Sequence, residues 1–248
     1  TPTVHTAYAS CLAPLGNGVQ LDAGILPTML GAEVTQTNAN FNITRGLVWG
    51  LQPTTNTGAV FSTGLMDRLT LAVGVLNDPI NNEAWDSNRA KALTSQVKYA
   101  AEKFALSAAF NWGKNEIPTA GTVNDATMLL DVVLSANPTE NLSAWINYDF
   151  RSDDETGGGG NGNLNTHGIA AAARLEVLES TGIAGRFEYV KFDPTDFLST
   201  LAETDAFSLT GTVDHGLTDN LTLKAEVRWD STDPDALTND AGVTASKE

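Results

Sequence analysis

Arg186 and Glu188 stand two residues apart, and so do Lys224, Glu226 and Arg228. In an extended chain every second side chain falls on one face, so each set forms a row of alternating charge. Lys98, Asp131, Asp149, Arg174 and Glu176 occupy the same kind of position in neighbouring segments. A lattice of opposite charges is poor filling for a dry core, because unpaired buried charges are expensive. Facing water, the same lattice can hold hydration and pass ions.

Other reactive residues form no recognisable site. His5, His167 and His215 are scattered without metal-ligand spacing. No Gly-x-Ser-x-Gly elbow occurs. The glycine stretch Gly157 to Asn163 lacks the Gly-Lys-Ser/Thr ending of a phosphate loop and reads as a flexible external tip. Acidic stretches at 153–155 and 230–235 do not match the calcium-loop pattern and read as solvated loops. Cys11 is the single cysteine, so it makes no internal disulfide and is expected to be a small buried apolar residue. Asn42, Asn141 and Asn220 match the Asn-x-Ser/Thr pattern, but two of them simply sit at turn exits. No enzyme and no cofactor is expected.

The elements that would carry the charged rows are strands. Between the charges of 221–229 lie Leu221, Leu223, Ala225, Val227 and Trp229. Short stretches recur that place an acidic residue, then Arg, Lys or Asn, then an apolar residue opening such an alternation: 66–71, 101–106, 139–144 and 218–223. Gly-bearing stretches at 16–21 and 180–185 fill the same role. The repeat fits a hairpin unit. Twelve strands are expected, near 3–13, 18–26, 55–65, 68–76, 90–100, 103–112, 124–136, 140–150, 165–178, 182–192, 203–214 and 219–230. Most exceed the roughly 5–6 residues of soluble strands and match the roughly 9–11 of membrane-crossing ones.

The connections alternate between short and long. In a meander this puts every short turn at one end and every long loop at the other, the sidedness of an outer-membrane barrel. Trp112, Tyr148, Phe150 and Trp229 fall toward the long-loop end, where an aromatic girdle would lie. The expected fold is therefore all-β: an antiparallel up-and-down transmembrane β-barrel in a single domain over 1–248, apolar rows on lipid and charged rows inside. A soluble antiparallel sheet that binds carbohydrate is the alternative, since alternation alone fits both.

Several stretches resemble the β-barrel porins of the OmpL-like family of bacterial outer membranes. They are 7–11, 21–34, 42–62, 71–82, 146–150, 185–194 and 223–235, with Gly31-Ala32-Glu33 and Asn56-Thr57-Gly58 at two of the family's characteristic places. Two departures are visible: the family carries Tyr where Ala32 stands and His where Asn56 stands. Family members are longer, so the resemblance implies further strands in the complete protein, at the start and at a closing strand.

The function this implies is passive diffusion of small hydrophilic solutes and ions through a water-filled barrel. A non-conducting structural or partner-binding barrel is the alternative. The partners would be membrane lipid and lipopolysaccharide and the diffusing solutes. Nucleic acid is excluded by a net charge of −16; a homo-oligomer or partner protein stays open. The expected pore lining is Asp22, Lys98, Asp131, Asp149, Arg174, Glu176, Arg186, Glu188, Lys224, Glu226 and Arg228. With Arg151 and Asp214 added, positive and negative charges nearly balance, so a mild cation preference would come from acidic loops at the mouth. The 27–54 connection is expected to fold inward and narrow the pore, with Glu33 and Arg45 as its charged contributors.

Overall fold

The computed structural model describes residues 4–80, 90–114, 126–155, 162–195 and 204–233. It contains twelve strands: β1 (Ala7–Ala13), β2 (Val19–Pro27), β3 (Thr55–Met66), β4 (Leu69–Leu76), β5 (Ala92–Ala100), β6 (Phe104–Lys114), β7 (Ala126–Thr139), β8 (Leu142–Glu155), β9 (Gly162–Leu178), β10 (Thr181–Thr195), β11 (Thr204–Thr218) and β12 (Leu221–Asp233). They form one sheet in sequence order, each strand antiparallel to the next, with β1 and β12 at its edges. All twelve fall where the alternation places them.

The turns at 67–68, 140–141, 179–180 and 219–220 are two residues long, and those at 14–18 and 101–103 are little longer. They share one end of the meander. The long connections share the other. The expected external tip at Gly157 and the far part of the 230–235 acidic stretch lie outside the described residues.

The two sheet faces invert the usual polarity of a soluble protein. Phe61, Val73, Leu106, Trp112, Ile146, Phe187, Leu209, Leu223 and Trp229 are exposed, and Val227 reaches 78% exposure. Asp131, Asp149, Arg186 and Glu188 are at 0–1%. Removing that much apolar surface from water is the dominant favourable term in folding, so an outer row of this kind requires an apolar solvent. Cys11 pairs in register with Leu21, which pairs with Phe61, and so belongs to this outer row. It is exposed rather than buried. Its strand is an edge with its apolar row outward.

Tyr99 and Phe104 add aromatic rings at the short-turn end, their centroids 5.9 Å apart. Trp112, Tyr148 and Trp229 stand on the outer face toward the opposite end. Two aromatic levels suit two lipid–water interfaces.

The connection from 28 to 54 lies against the inner face. It carries two short 3-10 turns, Thr37–Ala39 and Val48–Leu51. Val48 and Leu51 pack into an apolar cluster with Ala170, Val190 and Ala206, flanked by Leu47, Trp145 and Phe192. Leu30 packs with Ala109 and Leu129. Burying a Val or Leu side chain is worth about 1.5–3 kcal/mol. The wall makes room for them with small residues. A Cβ on Gly168 would stand 2.9 Å from Leu51 and 3.1 Å from Val48. Gly168 and the buried Ala170 on the same row thus have a packing reason.

Candidate functional site

The centre of the inner face is a three-residue ionic cluster. Arg186 on β10 donates from Nη1 to Glu33 Oε1 at 2.6 Å and to the Thr44 carbonyl at 2.7 Å, and from Nη2 to Thr210 Oγ1 at 3.2 Å. Its Nε lies 3.1 Å from Glu188 Oε2. Glu33 Oε2 accepts the Gly46 N–H at 2.7 Å, and Glu188 Oε1 accepts the Val48 N–H at 3.1 Å. The connection is therefore bound to β10 through both carboxylates. Glycine is needed at 46, because a Cβ there would collide with the Glu188 carboxylate. Gly31, at φ 90°, is likewise pressed against the Gln52 side chain. Burial pushes the Glu33 carboxyl up, and the Arg186 guanidinium opposes that shift.

A second set of contacts comes from β12. Glu226 accepts the Thr44 N–H at 3.0 Å, the Thr44 hydroxyl at 2.6 Å and the Thr212 hydroxyl at 2.8 Å, and it also accepts the Ile43 N–H. Lys224 Nζ donates to the Asn40 carbonyl at 2.6 Å, and Arg228 Nη1 to the Arg45 carbonyl at 2.6 Å. Three alternate residues of one strand thus grip residues 40–45. Asn42 donates to Thr212 Oγ1 at 2.8 Å.

The third set lies on β7 and β8. Asp131 and Asp149 are directly opposite in register. Asn147 Nδ2 donates to Asp131 at 2.6 Å and to Asp149 at 2.9 Å. Gln52 reaches down from the connection to Asp149 at 2.8 Å, to Asn147 Oδ1 at 3.1 Å and to Asp131 at 3.3 Å. The Ala32 N–H fixes Asn147 through Oδ1 at 3.0 Å. Among the described residues no cation pairs with either aspartate.

The remaining sequence-derived candidates lie toward the short-turn end, beyond the connection. Lys98 and Glu176 are exposed, and Asp22 is half-buried beside Ser10 and Gln20. Arg174 forms a two-pronged pair with Asp214 at 2.8 and 2.6 Å. Two cavities open here. One of about 470 Å³ is lined by Lys98, Ser107, Ser135, Trp145 and the near side of the connection. The other, about 940 Å³, is lined by Arg174, Asp214, Lys224 and residues of the Thr37–Ala39 turn.

Two expectations need correction. Asp131, Asp149, Arg186 and Glu188 were expected to be hydrated lining; they are dry, because the connection covers them. Arg45 was expected as a charged contributor to the opening; its guanidinium instead donates to Val34, Thr35 and Ile43 carbonyls and to Thr37 Oγ1, so it braces its own loop. Sequence reasoning missed Gln52, Asn147, Thr44 and Gly46. Asn147 lies at an inner-face position of β8, and that alternation is the signal that could have found it. The other three sit on irregular backbone, where periodicity is silent.

A family model described as "Putative beta-barrel porin-2, OmpL-like" matches residues 2–247. No curated protein matches. Among solved structures, the chain is similar to the OmpT outer-membrane protein of Vibrio cholerae in its loop L8 deletion form, at 14% identity and a TM-score of 0.64, covering 86% of this chain and 70% of that one. It is also similar to in-vitro folded OmpT of Vibrio cholerae in its trimer form, at 14% identity and a TM-score of 0.66, covering 86% and 67%. At these identities the likeness is one of fold: an outer-membrane barrel.

Proposed function

The chain belongs to the OmpL-like β-barrel porin family of the bacterial outer membrane, and on that premise we propose that it is a passive channel for small hydrophilic solutes and ions, narrowed by the 28–54 connection. The observation that carries this reading is the inverted polarity of the sheet. Its ionic rows face inward, its apolar rows face outward, and a connection is seated across the ionic rows with open cavities beside it. Solutes would pass the seated connection and then meet Lys98, Arg174, Lys224, Asp22, Glu176 and Asp214. Those charges balance, so strong ion selectivity would not arise there; a mild cation preference would come from the acidic mouth. The role is that of a conduit and not of an enzyme.

A second reading has one observation in its favour. The dry packing of Asp131, Asp149, Arg186 and Glu188 beneath the connection also suits a plugged barrel with a structural or partner-binding role. Reconstitution separates the two. Swelling of vesicles in uncharged solutes of graded size, with conductance steps in planar bilayers, supports the channel. Absence of both in the intact protein, with conductance restored on shortening the connection, supports the plug.

A further inference from the structure

We propose that the cavity of about 470 Å³ between the connection and the inner face of β5–β8 is a binding subsite for a small aromatic monocarboxylate, with Lys98 as the partner of the carboxylate and Trp145 as the platform for the ring. The proposal rests on the channel reading and adds a preferred solute class to it.

The volume lies within the roughly 300–1,000 Å³ of small-molecule sites. The lining divides into two parts. Trp49, Trp145 and Val133 give an apolar surface; Ser107, Ser135 and Lys98 give hydrogen-bonding groups. The strand register fixes their arrangement. Lys98 is opposite Ser107, and Ser135 is opposite Trp145. Lys98 and Trp145 are three strands apart on the same face and two residues out of register, a separation of about 16 Å along the sheet at the usual strand spacing and rise. Trp145 is held by the apolar cluster of Val48 and Leu51, so its ring is already positioned.

Charge selects the anion. Two carboxylate or ammonium groups line this cavity, Glu33 and Lys98. Glu33 is committed to Arg186 and to the Gly46 N–H. Lys98 has no ion pair among the described residues. The uncommitted charge is therefore positive, in a chain whose net charge is −16. The aromatic component follows from the two tryptophans, since offset or edge contacts between rings add about 0.5–1.5 kcal/mol beyond area burial.

Titration calorimetry on the full chain folded in detergent tests this with benzoate as probe. Acetate, which keeps the charge, and benzyl alcohol, which keeps the ring, are the comparators. Benzoate is expected to bind saturably and at least about tenfold more tightly than either, the ratio set by one charge-assisted contact or one ring contact. Lys98→Met should bring benzoate to the level of benzyl alcohol, and Trp145→Leu should bring it to the level of acetate. Lys98 is exposed, so its variant keeps the test decisive when Trp145→Leu fails to fold. Benzoate binding no tighter than acetate, or unaffected by Lys98→Met, overturns the subsite. Calorimetry does not depend on conduction: binding in a non-conducting barrel keeps the subsite and removes the channel reading, whereas a conducting barrel that ignores benzoate removes the subsite alone.

Discussion

Glu33 and Arg186 are separated by 153 positions in the chain, and their side chains meet at 2.6 Å with both almost completely buried. This contact joins an irregular connection to the middle of a strand and fixes the connection across the barrel interior. Glu188 on the same strand shares the guanidinium at 3.1 Å. Removing the cation would leave two carboxylates buried without a partner. Arg186→Met should therefore destabilise the seated connection by about 3–5 kcal/mol, the usual cost of breaking a buried pair from one side. The denaturation midpoint of the folded barrel in vesicles should fall, and its conductance should rise. A variant with wild-type values of both would remove Arg186 from this role.

Asp131 and Asp149 face each other across β7 and β8, and the side-chain amides of Asn147 and Gln52 donate to both. Like charges directly opposite in a sheet are destabilising, more so when dry. Asp149→Asn keeps the shape and removes the like-charge repulsion that the pair meets whenever both carboxyls ionise. It should stabilise the barrel by on the order of 1 kcal/mol or more, read as a higher urea midpoint in lipid vesicles. A lower midpoint would mean that the second carboxylate is needed as an acceptor.

The seat should respond to pH. Glu33, on the connection and not on a strand, has its carboxyl pushed up by burial when the connection is seated. The released connection would expose it and return it to the ordinary carboxylate range. The seated form then binds the proton more tightly, so lowering the pH through the raised value favours seating. The gain is complete below the ordinary range and is lost as pH rises through the raised value. Burial explains the sign: it disfavours the charged carboxylate more than the Arg186 guanidinium favours it. Conductance should fall on acidification, and Glu33→Gln should flatten the response. Opening of the wild type in acid would contradict the assignment.

The environment of each face can be tested on one strand. Val227 is central on the outer row of β12, and Thr222 lies on its inner row. Val227→Arg should cost about 2–4 kcal/mol of folding stability in vesicles, as for an arginine near the bilayer midplane. Thr222→Arg should cost little. Equal costs would show that lipid does not cover the outer row.

The strands were legible in the sequence because membrane-length alternation is a strong, local signal. The sidedness of the turns was legible for the same reason: Asp67-Arg68 and Asp219-Asn220 announce turns on their own. The direction in which the charged rows face followed from the cost of burying them. What the connection does to those rows was only half legible. Its length suggested an inward fold, but the choice of Arg186 for Glu33 depends on sheet curvature, which no local pattern carries. Arg45 shows the limit well. Its charge suggested an open guanidinium, yet nearby carbonyls of its own loop satisfy it at short sequence separation. Hydration was misjudged at Asp131 and Glu188 because alternation tells which face a residue takes and not what later covers it.

The central claim is that residues 28–54 occupy the passage, held by Arg186, Glu226 and the Asp131–Asp149 pair. Single-channel conductance in planar bilayers, compared between the intact chain and one in which 28–54 is replaced by a short Gly-Ser linker, tests it most directly. Distinctly larger conductance steps are expected without the connection. Steps of unchanged size would place the connection outside the path of the ions and contradict its role in the passage.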